Sequence, residues 1–479
     1  MRVAVLGAGY AGLTVARRLE RAVPDAVELV VVNDSPSHLV QHELHRLVRF
    51  PGLEDAITVD LDILLAEARV IEAEVVDVDT VEGEATLAEA DGERTLEYDL
   101  AAVCLGAETE FYGLDGVEEH GTPLKQVGHA ADIREQALAA PEGTAVVGGG
   151  GLSGVQVAGE LAEMNETDLD VTLVEMADQI APGFDKTFAA AIQEELEDRG
   201  VTVETGVAID SATADEVHLE DDGSLPADTF VWAGGIRGPA AFDGVRRQTA
   251  ADLRVSESTF VIGDAADVTD EDGRAVPASA QTAVREARIA ARNIRSLIQD
   301  SLDDAETTDD NLDTYRFDSP GWVVSIGDSA VAKVGPVVFS GEPARAAKAA
   351  VGAGHLGSVG AISQASELVA EELGWPTPPD LGIGFAEKSS KLPTDPASPS
   401  EIEYPLSQLC IGVAETFSSG ETVDLTGLTD GLDFRSPSGP MGGLDEAMRG
   451  LFEQAEEHTG GTTIEVQDES ETEDESDGE

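Results

Sequence analysis

The chain has 479 residues, 42% of them apolar, enough for two or three domains that each bury a core. Its 95 Asp and Glu stand against 29 Lys and Arg, a formal charge of −66 at pH 7, which excludes nucleic-acid binding through neutralised phosphates. The two cysteines, Cys104 and Cys410, are far apart and in different contexts, so no CxxC redox pair, zinc cluster or disulfide framework is encoded.

Only six of the basic residues are lysine, and the acidic excess runs through segments with folded patterning as well as the tail. Such a composition suits concentrated salt: at 1 M the Debye length is about 3 Å, which screens the self-repulsion of a polyanion. Salt-dependent folding of a halophilic type is therefore expected. The sequence starts at MRVAVLGAGY, without the charged n-region of a signal peptide, and has no 18-residue uncharged apolar run. A cytoplasmic protein that does not cross a membrane is expected; peripheral contact with the cytoplasmic face of the cell membrane stays open.

Val3 to Leu6 form an apolar run that enters Gly7-Ala8-Gly9-Tyr10-Ala11-Gly12, after which Leu13, Val15, Ala16 and Leu19 recur at helical spacing. Val27 to Val32 supply a second buried strand ending at Asn33-Asp34, completing a βαβ unit. Short alternating pieces from Val70 to Leu96 predict an antiparallel meander, and Tyr98 to Leu105 a buried strand ending at Gly106. The pattern then restarts. Thr144 to Val147 is a strand, Gly149-Gly150-Gly151-Leu152-Ser153-Gly154 a turn, Val155 to Met164 a helix, and Val171 to Val174 a strand ending in Glu175. A second meander is expected over Val201-Thr202-Val203, Ser211 to Asp215 and Val217 to Leu219, before a strand from Thr229 to Trp232 that ends at Gly234-Gly235. Phe260 to Asp264 reads as a strand feeding a loop, and Ser279 to Ile298 as an Ala-rich helix. From Tyr315 to about Leu373 there are two strand-like pieces and an Ala/Gly-rich helical stretch. Residues 376–400 read as a linker, 401–465 hold a weak helical pattern, and 469–479 form an acidic low-complexity tail.

One GxGxxG is weak evidence, but two copies, each after an apolar strand and opening a helix, point to two nucleotide sites. Gly7, Gly9 and Gly12, and likewise Gly149, Gly151 and Gly154, let the backbone approach a pyrophosphate at a helix N-terminus, whose partial positive charge suits a chain this acidic. The expected fold is α/β, with two Rossmann-like domains of parallel sheets and β-meanders, a C-terminal α+β region and a largely disordered acidic tail. Glu175, ending its strand, would bond ribose hydroxyls and repel a 2′-phosphate, favouring NADH over NADPH. His38, His42 and His45, with Glu43 nearby, lack HExxH spacing, and no metal is expected there. Cys104 reads as a small apolar filler.

Over residues 1 to about 370 the sequence resembles the flavoproteins with two dinucleotide-binding domains, of the pyridine nucleotide-disulfide oxidoreductase superfamily, and among them the type II NADH dehydrogenases. The matches are His38 to Gln41, Val147 to Leu161, Val171 to Phe184, Val231 to Gly235, Phe260 to Asp267, Ala280 to Ala283 and Gly335-Pro336. The resemblance implies FAD at the first glycine turn, NADH at the second, and an FAD-dependent NADH:quinone oxidoreductase in electron transport, without proton pumping. It implies an FAD domain in two parts, residues 1–115 and 236–310, an NADH domain over 116–235, and a membrane or acceptor region over 311–375, followed by the linker and tail of 376–479. It further places Gly106, Gly235, Gly263, Asp264 and Ala280 about the cofactors, and Glu160 and Gln281 in catalysis.

The sequence departs from that pattern at three positions. Asn33 stands where an acid usually binds the ribose of FAD, so Asn33 or Asp34 must do that work. Gln156 replaces a glutamate by the nicotinamide, while Glu160 keeps the next acidic position. Arg285 replaces the second Gln of AQxAxQ, which opens the reading to a soluble NADH-dependent reductase serving oxygen, a ferredoxin or a small carrier. A non-catalytic flavin-binding sensor is a third reading, and a homodimer stays open. With no cysteine pair beside the flavin, thiol intermediates are excluded, leaving direct hydride transfer to flavin N5. The stretch from Ser340 to Glu372 has Arg345 and Lys348 as its main basic residues, so modest membrane anchoring is expected.

Overall fold

The computed structural model describes residues 1–359, apart from 25, 90, 91, 221, 222, 304–311 and 320, and then 361, 364, 365 and 368. The expected linker, weak helix and acidic tail lie outside the described residues.

Five parallel strands form the first sheet, in the order Thr259–Val261, Leu100–Val103, Arg2–Leu6, Glu28–Asn33 and Arg69–Glu72. All but the edge strand Arg69–Glu72 are apolar runs, because helices and loops cover both faces and alternation is lost. The helix Tyr10–Glu20 buries Leu13, Val15, Ala16 and Leu19 and packs against the helix Ala280–Leu302. A strand and a helix from beyond position 258 thus complete the unit begun at the N-terminus.

The second sheet is also parallel: Thr202–Thr205, Asp170–Glu175, Thr144–Gly148 and Thr229–Trp232. Each half carries a three-stranded antiparallel meander, Glu74–Asp79, Glu84–Glu89 and Gly92–Glu97 in one, and Ile209–Ala212, Glu216–Leu219 and Ser224–Pro226 in the other. Both meanders begin one strand later than the sequence pattern predicts. Arg69–Glu72 and Thr202–Thr205 belong to the parallel sheets, as edge strands whose polar residues face solvent and so imitate the alternation of a meander.

The region after Tyr315 holds three antiparallel strands, Gly321–Ile326, Ser329–Val334 and Val337–Ser340, where two were expected, and then the helix Glu342–Ser358. Among the described residues no helix is long and apolar enough to cross a membrane.

Candidate cofactor-binding and redox site

Each half builds the same turn. Gly7 leaves its strand at φ +94° and Gly149 at φ +106°, conformations that L side chains rarely adopt. A Cβ on Gly12 would lie 1.8 Å from the Gly7 carbonyl oxygen, and one on Gly154 1.9 Å from that of Gly149, so both helices are pressed directly onto their turns. Gly9 and Gly151 differ: a Cβ on either would meet no atom of the described residues within 4 Å. Neither helix has a side-chain N-cap, so its first N–H groups are left for a ligand at that open face. A pyrophosphate fits both cradles.

The strand-end residues brace these turns. Asn33 Oδ1 accepts the Ala8 N–H at 2.7 Å, and its amide donates to the Ser35 carbonyl. Glu175 Oε2 accepts the Gly150 N–H at 2.7 Å and Oε1 the Ala177 N–H at 2.8 Å. Asp34, the other candidate in the first half, is exposed.

The carboxyl ends of the first sheet converge, which is where open α/β sheets bind ligands. Gly106 follows one strand at φ +70° with nothing within 4 Å of a Cβ, and Gly263 follows another at φ +68° between Ala11 and Ala283. Burial pushes the Asp264 carboxyl up, and the charges of Lys125 and Arg246 oppose that shift. Ala280 begins its helix and Gln281 follows it; Gln281 Nε2 is buried without a hydrogen-bond partner among the described residues, a donor left for a bound group. In the second half, Gly235 lies beneath the Tyr112 hydroxyl, 2.3 Å from where a Cβ would sit.

Glu160 is 2% exposed and faces the segment Gln41–Val48 and the residue after it: Arg49 lies 3.4 Å from its Oε2 and His45 3.8 Å from Oε1. Burial, aided by the charge of Lys348, holds His45 well below the ordinary histidine range. Glu160 is therefore balanced by Arg49 and not by an imidazolium. Gln156 donates to Ser325 Oγ at 3.2 Å, which also meets His45 Nε2 at 2.7 Å. The C-terminal strands reach this point because Gly159 lets Gly327 approach; a Cβ on Gly159 would be 2.7 Å from the Gly327 nitrogen. A glycine inside a helix marks close backbone approach, a signal the sequence carried.

The three histidines diverge, and among the described residues no group of three or more His, Cys, Asp or Glu is placed to hold a metal. His38 Nδ1 meets the Ala8 carbonyl at 2.9 Å, so it carries the proton; its bare Nε2 then accepts from His355 Nε2 at 3.0 Å. The Tyr10 oxygen accepts the His42 backbone N–H and its hydroxyl donates to His42 Nδ1. Glu43 is 1% exposed: burial opposes its charge, but Lys348, His42 and Arg46 together hold its carboxyl well below the ordinary range. Lys348 is 2% exposed and paired with Glu43, so its ammonium is committed to a buried carboxylate. Cys104 is a buried free thiol, as expected of a filler, and its carbonyl also forms the floor against which Gly7 packs.

This geometry defines a protein of the class with two dinucleotide-binding domains. Residues 1–287 match the family model for pyridine nucleotide-disulphide oxidoreductases, and the chain belongs to that family. It is 27% identical over 364 residues to a type II NADH:quinone oxidoreductase of Staphylococcus aureus, covering 68% of this chain and 87% of that one. NDH2 from Plasmodium falciparum, solved with NADH, superposes with a TM-score of 0.66 at 14% identity, over 79% of this chain and 99% of that one. The sulfide:quinone oxidoreductase of Aquifex aeolicus gives 0.62 at 19% identity, over 77% and 94%. These two structures share the fold.

Proposed function

We propose that this chain is an FAD-dependent NADH:quinone oxidoreductase of the type II kind. It is an oxidoreductase with FAD and NADH as cofactors, and the observation that carries the reading is the doubled glycine turn, open at Gly9 and Gly151 and braced by Asn33 and Glu175. The relatives support quinone as the acceptor. The FAD domain comprises residues 1–115 and 236–310, the NADH domain 116–235, and the acceptor region 311–375.

FAD held at the Gly7–Gly12 turn would supply the hydride-accepting chemistry, with NADH held at the Gly149–Gly154 turn as the donor. The chain positions and insulates. N–H groups after Gly9 and Gly151 hold the two pyrophosphates, and Asp264 accepts from the ribityl hydroxyls. A carboxylate offers about four lone-pair sites, so Glu175 can brace its turn and still accept from a ribose. The free Gln281 amide donates to the flavin or the acceptor, while Glu160, fixed by Arg49, holds charge near the nicotinamide. Hydride transfer is not coupled to proton pumping; the enzyme is cytoplasmic, and any membrane contact it makes is peripheral, on the cytoplasmic face.

Purified protein in concentrated KCl tests this. NADH should bleach the flavin, and a short-chain quinone should accelerate NADH oxidation. A flavin that NADH leaves oxidised defeats the reading. The inward pairing of Lys348 and the presence of Arg285 support a second one, a soluble acceptor; turnover with a ferredoxin or oxygen that quinone does not stimulate would select it.

A further inference from the structure

Glu286 lies on the helix Ala280–Leu302, one turn beyond Ala283, and is 2% exposed. Its Oε2 accepts the N–H of Gly263 at 2.7 Å, so it holds the first residue of the turn that carries Asp264. Among the described residues, no cation forms an ion pair with its carboxyl. The Arg246 guanidinium, whose charge acts on it, is occupied by the Asp264 and Ala266 carbonyl oxygens. Around Glu286 the helix Tyr10–Glu20 presents an apolar face, the end of the strand Leu100–Val103 brings the Cys104 thiol, and the Gly263 turn brings Asp264. Tyr315 also feels its charge, with Arg285 and Asp270 beyond, and Lys125 faces Asp264. A carboxyl this deep, beside a second carboxylate, is costly to ionise. Burial first, then Asp264, pushes Glu286 up to about 8, although the Gly263 N–H favours its charged form.

We propose that Glu286 is a positioning residue for the FAD site that works as a neutral acid: protonated, it holds the Gly263 turn and adds no second negative charge beside Asp264; ionised, it expels the cofactor. This rests on the reading of the first half as the FAD domain. The protonated carboxyl accepts the Gly263 N–H through its carbonyl oxygen, which an amide reproduces. Loss of the proton sets a second anion against Asp264 and the phosphates of FAD. By linkage, FAD binding raises the proton affinity of Glu286, so FAD affinity falls as pH rises through the carboxyl's own range, by at most about tenfold per pH unit.

The test is flavin release, followed by the fluorescence of free FAD, from holoenzyme in concentrated KCl between pH 7 and 9.5. FAD affinity of the unaltered chain should fall several-fold above about pH 8, and Glu286→Gln should retain FAD without that fall. A parallel decline in the variant, a folded variant that cannot retain FAD at pH 7, or a pH-independent unaltered chain each overturns the proposal. If Glu286→Gln does not fold, infrared spectroscopy of the unaltered holoenzyme decides: a protonated-carboxyl band present at pH 7 and gone by pH 9.5 supports it, and its absence at pH 7 overturns it. A folded chain that takes up no FAD at pH 7 removes the FAD reading as well, which separates that failure from this one.

Discussion

Asn33 and Glu175 are counterparts: each ends the second strand of its half, and each accepts through a side-chain oxygen the N–H of the residue 25 positions before it in the glycine turn. The difference is one of charge. Glu175 uses both oxygens as acceptors, so in Glu175→Gln an amide NH2 must face one of two backbone N–H groups. A buried donor left unpaired costs about 1–3 kcal/mol. Thermal unfolding at fixed KCl should show that loss, and KM for NADH should rise with kcat little changed. Glu175→Ala should narrow the preference for NADH over NADPH; a preference unaltered by that change places the ribose contact elsewhere.

Lys348 and Glu43 form a buried pair across 305 positions of sequence, tying the helix Glu342–Ser358 to the segment Gln41–Val48. Lys348→Met leaves Glu43 with His42 and Arg46, so the cost should reach the low end of the roughly 3–5 kcal/mol typical of a broken buried pair. Adding Glu43→Gln should recover part of it. Denaturant midpoints of the two singles and the double measure the coupling, and strict additivity would show that the contact contributes nothing.

The two glycine turns were legible because all their information is local: apolar strand, glycine spacing and helix follow one another within a few residues. Gly159 was legible in kind, since a helical glycine marks close approach, but not in partner, because Gly327 lies in another part of the chain. Glu286 and Lys348 were not legible at all. Each is a charged residue in an Ala-rich helix, and only tertiary packing turns it inward. The edge strands Arg69–Glu72 and Thr202–Thr205 were misread for a related reason, since exposure at a sheet edge produces alternation irrespective of strand direction.

Acid should loosen the contact between His38 and His355. Burial, above all, holds His38 down to about 4 and His355 well below the ordinary histidine range. The unfolded chain, whose histidines titrate near 6.5, therefore binds more protons than the folded one below that pH. Stability is retained above about 6.5 and falls as pH drops toward 4, by about 1.4 kcal/mol per pH unit for each such histidine. Carboxylates add their own loss on acidification, so the readout is a difference: Tm of His355→Gln should fall less steeply between pH 6.5 and 4.5 than that of the unaltered chain. Identical slopes would mean that the pair does not titrate as a unit.

The net charge of −66 predicts that folding needs salt. Screening at about 1 M reduces the Debye length to about 3 Å, and dilution to 0.01 M extends it to about 30 Å, across much of a domain. Dialysis from concentrated KCl into dilute buffer should reduce circular dichroism and release flavin together, and KCl should restore both. Unchanged spectra at low salt would show that the acidic surface does not govern stability.

Gly9 and Gly12 separate ligand binding from folding. A Cβ on Gly12 would fall 1.8 Å from the Gly7 carbonyl oxygen, so Gly12→Ala must push the helix Tyr10–Glu20 off its turn; overpacking of this kind costs about 1–3 kcal/mol or more. The same substitution at Gly9 meets no described protein atom within 4 Å and loses only the modest N-cap preference of glycine over alanine, so the Tm of the FAD-free protein should fall much less than in Gly12→Ala. Whatever Gly9→Ala loses in FAD affinity is then lost against the ligand alone. Gly151→Ala and Gly154→Ala should repeat the contrast for NADH, since Gly154 meets the Gly149 oxygen at 1.9 Å and Gly151 meets nothing. Equal affinity for FAD in Gly9→Ala and the unaltered chain would mean that the cofactor does not approach the turn at its open face.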